Sequence, residues 1–318
     1  MDVGGSHVTA AVVDAPVLVD VAVAADGREA GGTWPERAAE IDPHAPRDVL
    51  LDQLTAPARA VAEALAAAAI GAGAGTPAAR PLRGWAVAMP GPFDYAAGSG
   101  TFDGVDKFAS LAGVDLRSAF ADRLGVAPER VRFCNDAVAY GIGEWAVGAG
   151  SRARRMVCLT LGTGVGSSFL DAGVEVDSGP LVPAHGEVHR LTIAGRPLEA
   201  TMSSPALRSA YRDRSGQESS VEEICARARA GDQLAVEVLH TALRALGAAV
   251  GPWVDRFDAD TVVVGGAIAR SWDIVGPGFR DGLAAVGVSA AVVVPADLGS
   301  RAPLVGAAVH WERQVAPR

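Results

Sequence analysis

The chain has 318 residues, a net charge of −9, 49% apolar residues and only 5% aromatics. That length suits two ordinary domains or one large one, and the composition excludes a disordered chain in favour of a soluble α/β protein cored by Ala, Val and Leu. The acidic balance argues against a nucleic-acid partner, and no uninterrupted apolar run of about 18 residues marks a membrane span.

The opening segment, MDVGGSHVTAAVVDAPVLVDVAVAA, has no basic leader, and Asp2, Asp14 and Asp20 interrupt it. It is therefore not read as a secretory signal. Cys134, Cys158 and Cys225 are odd in number and widely spaced, as small core residues of a reducing compartment would be, and a cytoplasmic location is expected. Of the 28 basic residues 27 are Arg, and Lys107 is the single Lys. The bias reflects GC-rich coding rather than fold, but it singles out Lys107.

In chain order, residues 8–13 and 17–24 read as short strands with a turn at Asp14–Pro16. Residues 48–69 carry apolar positions at helical spacing, and GAGAGTPAARP follows as a linker. RGWAVAM is a buried strand stopped by Pro90-Gly91-Pro92. A helix is expected at 116–124 and a strand at 131–134, with Asn135 and Asp136 at its tip and a helical pattern behind them. The theme restarts after Gly150. MVCLTLGTGVGSSFLD gives strand, Gly-rich turn and strand, and SSPALRSAY opens a helix with a Ser cap and an early Pro. SVEEICARARAG and DQLAVEVLHTALRALGAAVGPWVDRF are helices, TVVVGGA and AAVVVPA are strands, and PLVGAAVHWERQ is a closing helix. Two similar α/β lobes around a cleft are expected.

Three strands end in Gly clusters: DVGGSH at 2–7, LGTGVGSS at 161–168 and VVGGAI at 264–269. Such turns let backbone N–H groups approach an anion, although any one taken singly is more often a plain hairpin turn. The second is neither a Rossmann fingerprint, since a strand follows it, nor a Walker loop, since no Lys-Ser or Lys-Thr ends it. Asp2 beside the first turn is a hard oxygen donor of the kind that holds Mg²⁺. Asn135-Asp136 also suits a helix cap, which is compatible with a chemical role.

The order acid-Gly-Gly-hydroxyl, Asn-Asp, Gly-Thr-Gly, Gly-Gly resembles the sugar kinases of the actin and hexokinase superfamily, and within them the ROK family (repressors, open reading frames, kinases). DVGGSHVTAAVVD is similar to that family's first phosphate motif, MPGPFDYAAG to its sugar loop and NDAVAYGIGEWAVGAG to its catalytic segment. LTLGTGVGSSFL resembles its second phosphate motif, LEATMSSPAL its Glu-containing run and VVVGGAI its adenosine motif. The resemblance implies two ribonuclease-H-like lobes around a central cleft, with the final helix packed back on the first lobe. The expected division is residues 1–134 with 302–318, and 135–301. It also implies that Asp136 is the base, that Asn135 and Gly91 serve the sugar, and that Asp2 holds Mg²⁺ through water. Gly4, Gly5 and Ser6, with Gly162, Thr163 and Gly164, would cradle the ATP phosphates, and Gly265 and Gly266 would lie against adenosine. Glu144 is expected to pair or cap at its helix end. The family's first strand begins several residues before the acid, whereas Met1 alone precedes Asp2, so either the strand is clipped or the start is assigned late.

One departure bears on the substrate. The family's Gly-Glu-x-Gly-His segment and its CxCGxxGCxE zinc loop are represented here by AHGEVHRLTIAGRPLEATMSS, about ten residues shorter and free of cysteine. No zinc is expected, with RLTIAG bracing the segment instead. Glu187, His189 and Glu199 are the implied contacts to sugar hydroxyls, with His185 competing for the place of His189 because one residue is missing. Lys107 is either an exposed Lys or a substrate or phosphate contact. The resulting expectation is an ATP-dependent kinase for the 6-hydroxyl of a hexose, glucose by default, in a homodimer. A modified sugar such as kanosamine, or a cyclitol, is the alternative acceptor. A repressor of the same family is disfavoured because the first phosphate motif starts at residue 2, and a silent sugar binder because Asp2, Asp136 and both phosphate turns are present.

Overall fold

The computed structural model describes residues 1–13, 36–71 and 82–315. The expected strand at 17–24, its turn, and the linker beyond Gly71 lie outside the described residues. The chain forms two compact units, Met1–Ala139 with Pro303–Arg318, and Tyr140–Ala302.

In the first unit, β1 (Asp2–Val3), β2 (His7–Ala11), β3 (Glu36–Glu40), β4 (Trp85–Met89) and β7 (Val131–Asn135) form one sheet in the order β3-β2-β1-β4-β7. A small hairpin of β5 (Phe93–Asp94) and β6 (Ser99–Gly100) follows β4. β1, β4 and β7 run parallel, pairing Asp2 with Ala88 and Met89 with Asn135, so Asp2 and Asn135 sit at the same sheet end. That carboxyl end is where open α/β sheets collect ligands. Helix α1 (Arg47–Gly71) buries Leu50, Leu51, Leu54, Ala58 and Val61 in one core with Val3, Val8, Val87 and Phe133. Helix α2 (Leu116–Leu124) is capped by Asp115, whose side chain accepts the Ser118 N–H, and it adds Phe120 to that core. Strand β7 passes without a loop into α3 (Asp136–Val147), and the boundary between the units falls within this helix.

The second unit repeats the plan. β8 (Arg155–Leu161) and β9 (Val165–Asp171) form a hairpin through the Gly162–Gly164 turn, and β10 (Val174–Glu175) extends it. After the two-residue strands β11 (Thr192–Ile193) and β12 (Arg196–Pro197), β13 (Thr261–Gly265) and β14 (Val292–Pro295) join the sheet in parallel, giving the order β10-β9-β8-β13-β14. Ranked within itself, each sheet reads third, second, first, fourth, fifth. The expected pair of similar α/β lobes is thus present in the topology of each unit.

Helix α4 (Ser204–Ser215) is capped by Ser203, α5 (Val221–Arg229) by a Ser220–Glu223 capping box and α6 (Gln233–Arg256) by Asp232. Helix α6 is long and apolar enough to cross a membrane by length and composition. Its stripe of Val238, Leu239, Ala242, Leu243, Leu246, Val250 and Val254 instead packs in the core of the second unit, with α7 (Trp272–Ala285) beside it. The spacing is that of an amphipathic core helix. The last helix, α8 (Ala302–Val315), serves the first unit: Ala307 packs with Ala86, Ala88, Cys134 and Ala139, and Glu312 accepts two bonds from Arg83 at 2.6 and 2.7 Å.

Candidate active site

In the first unit the Asn-Asp tip is a helix start. Asn135 Oδ1 accepts the N–H groups of Ala137 and Val138 at 2.9 and 3.1 Å, capping α3. Its amide nitrogen donates to Tyr95 Oη at 3.0 Å, and Tyr95 in turn donates to the Met89 carbonyl at 3.1 Å, which fixes the amide's orientation. Asp136 Oδ1 accepts the Ala137 N–H at 2.9 Å. The carboxyl keeps some accessible surface, yet its surroundings exclude enough water to push its pKa up, against the opposing pull of that N–H and of the Lys107 charge. Asp2 behaves similarly. Burial, and then the Asp136 charge, push its carboxyl up from 3.8 to about 6.

The first Gly turn lies beside this pair. Gly4 N–H closes the β1–β2 hairpin on the His7 carbonyl at 2.8 Å, and the His7 ring covers Gly4 so closely that a Cβ there would lie 2.6 Å from it. Ser6 is exposed, and its carbonyl accepts the Ile41 N–H. A Cβ on Gly5 would lie 3.6 Å from Lys107 Nζ. Lys107 is half-buried rather than fully exposed, with its ammonium directed at the Gly turn and its field acting on Asp136. Gly91 sits beside Tyr95, whose Oη would be 3.7 Å from an added Cβ. Asp2, Gly5, Lys107, Asn135 and Asp136 are therefore gathered at one end of the sheet.

The remaining candidates belong to the second unit. Gly162 N–H bonds the Gly164 carbonyl at 3.0 Å, and Ser204 anchors the Gly162 carbonyl through its N–H and hydroxyl at 2.8 and 2.9 Å, with Thr163 at the turn's tip. Glu199 enters this turn: its Oε1 accepts the Val165 N–H at 2.7 Å and would lie 2.6 Å from a Cβ on Gly164. Glu187 pairs with Arg190, and His189 Nε2 lies 3.8 Å from its carboxylate. His185 is exposed with a φ of 59°, and the histidine seen in contact with Glu187 is His189. Ser167 holds this segment on β9, donating to the Gly186 carbonyl at 2.7 Å and accepting the Val188 N–H at 3.0 Å. The cysteine-free RLTIAG stretch supplies β11 and the turn of the β11–β12 hairpin. Burial, with Asp177 and Glu187 nearby, pushes the Glu175 carboxyl up from 4.5 to about 7.

Residues 47–314 match the family described as the ROK family. The chain belongs to that family. Over 212 residues it is 27% identical to a glucokinase of Thermotoga maritima, covering 59% of this chain and 65% of that protein. It is 33% identical to a glucokinase of Pyrobaculum calidifontis over 192 residues, 55% of this chain and 62% of that one. The matched chain thus spans just under two thirds of each of these curated relatives. Among solved structures it resembles a ROK hexokinase from Thermus thermophilus, with a TM-score of 0.71 at 23% identity over 99% of this chain and 97% of that one. A ROK family glucokinase from Streptomyces griseus, solved with glucose and AMPPNP, gives 0.71 at 21% identity over 98% of each chain. A ROK family transcriptional regulator gives 0.70 at 21% identity over 87% of this chain and 72% of that one. These likenesses establish the ROK type of fold.

Two residues of this ROK chain escape a reading by motif. Tyr95 orients Asn135 but lies inside the sugar-loop stretch as one of two aromatics, and Tyr140 reaches Gly265 across 125 residues of sequence.

Proposed function

We propose that this protein is an ATP-dependent kinase that transfers the terminal phosphoryl group of ATP to the primary, 6-hydroxyl of a hexose or hexose-like polyol. The observation that carries the reading is the gathering of Asp136, Asn135, Asp2, Lys107 and the Gly4–Ser6 turn at one sheet end of the first unit. The glucokinase relatives, and the neighbour solved with glucose and AMPPNP, support sugar and ATP as the two substrates.

Phosphoryl transfer asks the protein mainly for in-line positioning and charge neutralisation. The substrate oxygen forms a bond to the γ-phosphorus as the bond to ADP breaks, and the hydroxyl proton passes to Asp136. A carboxyl whose pKa is raised by burial accepts that proton more readily than an exposed one. Asn135, held by Tyr95, offers a fixed amide to a neighbouring hydroxyl. Lys107 brings positive charge to the Gly5 side, where phosphate oxygens would lie.

Mg²⁺ fits Asp2. That carboxylate is a hard oxygen donor, and the charge of Asp136 beside it creates a surplus of negative potential that a divalent cation offsets. When bound with ATP, the cation neutralises phosphate charge. Glu187, His189 and Glu199 are assigned to sugar hydroxyls, Gly162–Gly164 to phosphates and Gly265–Gly266 to adenosine. The Arg190 partner of Glu187 and the short, cysteine-free segment around it leave the acceptor open to a modified sugar such as kanosamine or a cyclitol.

The test is ATP consumption by the purified protein with Mg²⁺ against glucose, mannose, fructose, N-acetyl sugars, kanosamine and cyclitols. Turnover with at least one polyol, and mapping of the phosphate to a primary carbon, is the expected result. Absence of turnover with every polyol rejects the kinase reading.

A further inference from the structure

Tyr140 lies in α3, one helical turn beyond Asp136, and takes no part in the chemistry described above. Its ring covers the end of β13: a Cβ on Gly265 would lie 2.4 Å from Tyr140 Oη and 2.6 Å from Cε1 and Cζ. Only glycine fits beneath it. The next residue, Gly266, has a φ of 86°, and a Cβ there would lie 2.4 and 2.6 Å from the carbonyl oxygen and nitrogen of Leu161. The Gly266 N–H is near enough to the phenol oxygen to pull its pKa down, against the larger upward push of burial. The Gly265–Gly266 turn is therefore clamped, with a phenol ring on one side and the Leu161 backbone on the other.

Leu161 is also the last residue of β8 and leads directly into the Gly162–Gly164 turn. β8 and β13 are parallel neighbours, with Gly265 paired to Thr160, so both Gly turns stand at the same sheet end and share Leu161 as a wall. Ser204 fixes one turn through the Gly162 carbonyl, and the Tyr140 ring covers the other at Gly265. A tyrosine suits this role because its ring supplies rigid volume while its hydroxyl supplies a directional partner for a backbone amide.

We infer that Tyr140 is a positioning residue for nucleotide: its ring and hydroxyl hold the Gly265–Gly266 turn in the shape that receives ATP, without touching the reacting atoms. The inference rests on the kinase reading and adds to it a determinant of nucleotide affinity to which the motif resemblance gives no role. It separates binding from chemistry, because a displaced turn weakens ATP capture while leaving Asp136 and the acceptor hydroxyl in place.

The experiment is steady-state kinetics of the parent protein, Tyr140→Phe and Tyr140→Ala, varying ATP and the best acceptor in turn, with melting temperatures alongside. Tyr140→Phe keeps the ring and removes the hydroxyl. It is expected to raise the KM for ATP about fivefold, with kcat and the acceptor KM within about twofold of the parent and the melting temperature unchanged. Tyr140→Ala is expected to raise the ATP KM further. An unchanged ATP KM in Tyr140→Phe, or a loss that follows acceptor KM or melting temperature instead, overturns the inference while the parent's turnover upholds the kinase reading. A parent protein that turns over no acceptor overturns both.

Discussion

Asp136 and Glu175 are both carboxyls pushed upward by burial, and their substitutions separate chemistry from stability. For Asp136→Asn the cap made by Asn135 stays intact and an amide oxygen can still accept the Ala137 N–H. Melting temperature is expected to hold while turnover falls by at least about 10²-fold, read in the ATP-consumption assay. Retained turnover would remove Asp136 from the role of base. Glu175 titrates near 7 in the folded chain against an ordinary 4.5. Below about pH 4.5 it is protonated folded or unfolded, and its favourable contribution is fully present. As pH rises through 7 the folded state must ionise a desolvated acid beside Asp177 and Glu187, and that contribution is lost. Glu175→Gln is therefore expected to gain stability over the parent at about pH 8, on the order of 2 kcal/mol, and to gain little at about pH 4. Denaturant melts of both proteins at the two pH values check this, and an equal difference at both would refute it. At this scale the motif residues were readable from sequence because each stands at a strand end or turn with a distinctive neighbour. The partners that orient them were not, since Tyr95, Arg190 and Tyr140 are ordinary surface or core types until folding brings them to Asn135, Glu187 and Gly265.

Helix α3 illustrates what one element must reconcile. Its sequence spends Gly141 and Gly143 inside a helix, a cost of about 1 kcal/mol each relative to Ala. Packing explains both: a Cβ on Gly141 would lie 2.0 Å from Ser168 Oγ, and one on Gly143 would lie 2.1 Å from the Ala302 carbonyl oxygen. The helix's far end is tied by Glu144, which is fully buried and accepts the N–H groups of Ala149, Asp297 and Leu298 at 3.0, 3.0 and 2.7 Å. Glu144→Ala leaves three amides without that acceptor and is expected to cost about 3 kcal/mol, measured by denaturant unfolding. Glu144→Gln should recover only part of the loss, because an amide offers fewer acceptor sites than a carboxylate. The sequence anticipates a structural Glu144 and most strands and helices, whose apolar spacing is strong. Strand β3, ERAAE, is missed because it is mostly exposed and built from poor strand formers. Its structure comes from pairing His7–Ala11 with Glu36–Glu40 rather than from its own pattern. The β5–β6 hairpin is missed for a related reason, being two residues long on each side.

At the scale of the molecule, the second unit is one continuous stretch, Tyr140–Ala302, whereas the first is made of two separated stretches. A fragment spanning 136–302 carries its own sheet and apolar cluster, and is expected to melt cooperatively in isolation, followed by circular dichroism and calorimetry. A fragment ending at residue 139 lacks Ala307 and Trp311, which cover the Ala86, Ala88 and Cys134 face and the Gly84 corner. It is expected to expose that face and aggregate unless residues 303–315 are supplied. The same discontinuity imposes an order of assembly in the cell. As the chain leaves the ribosome, the stretch begun earliest waits longest, since Trp311 emerges only after all of Tyr140–Ala302 has been made. Until then the nascent sheet lacks the helix that covers its alanine-lined surface, so the first unit closes last although its synthesis begins first.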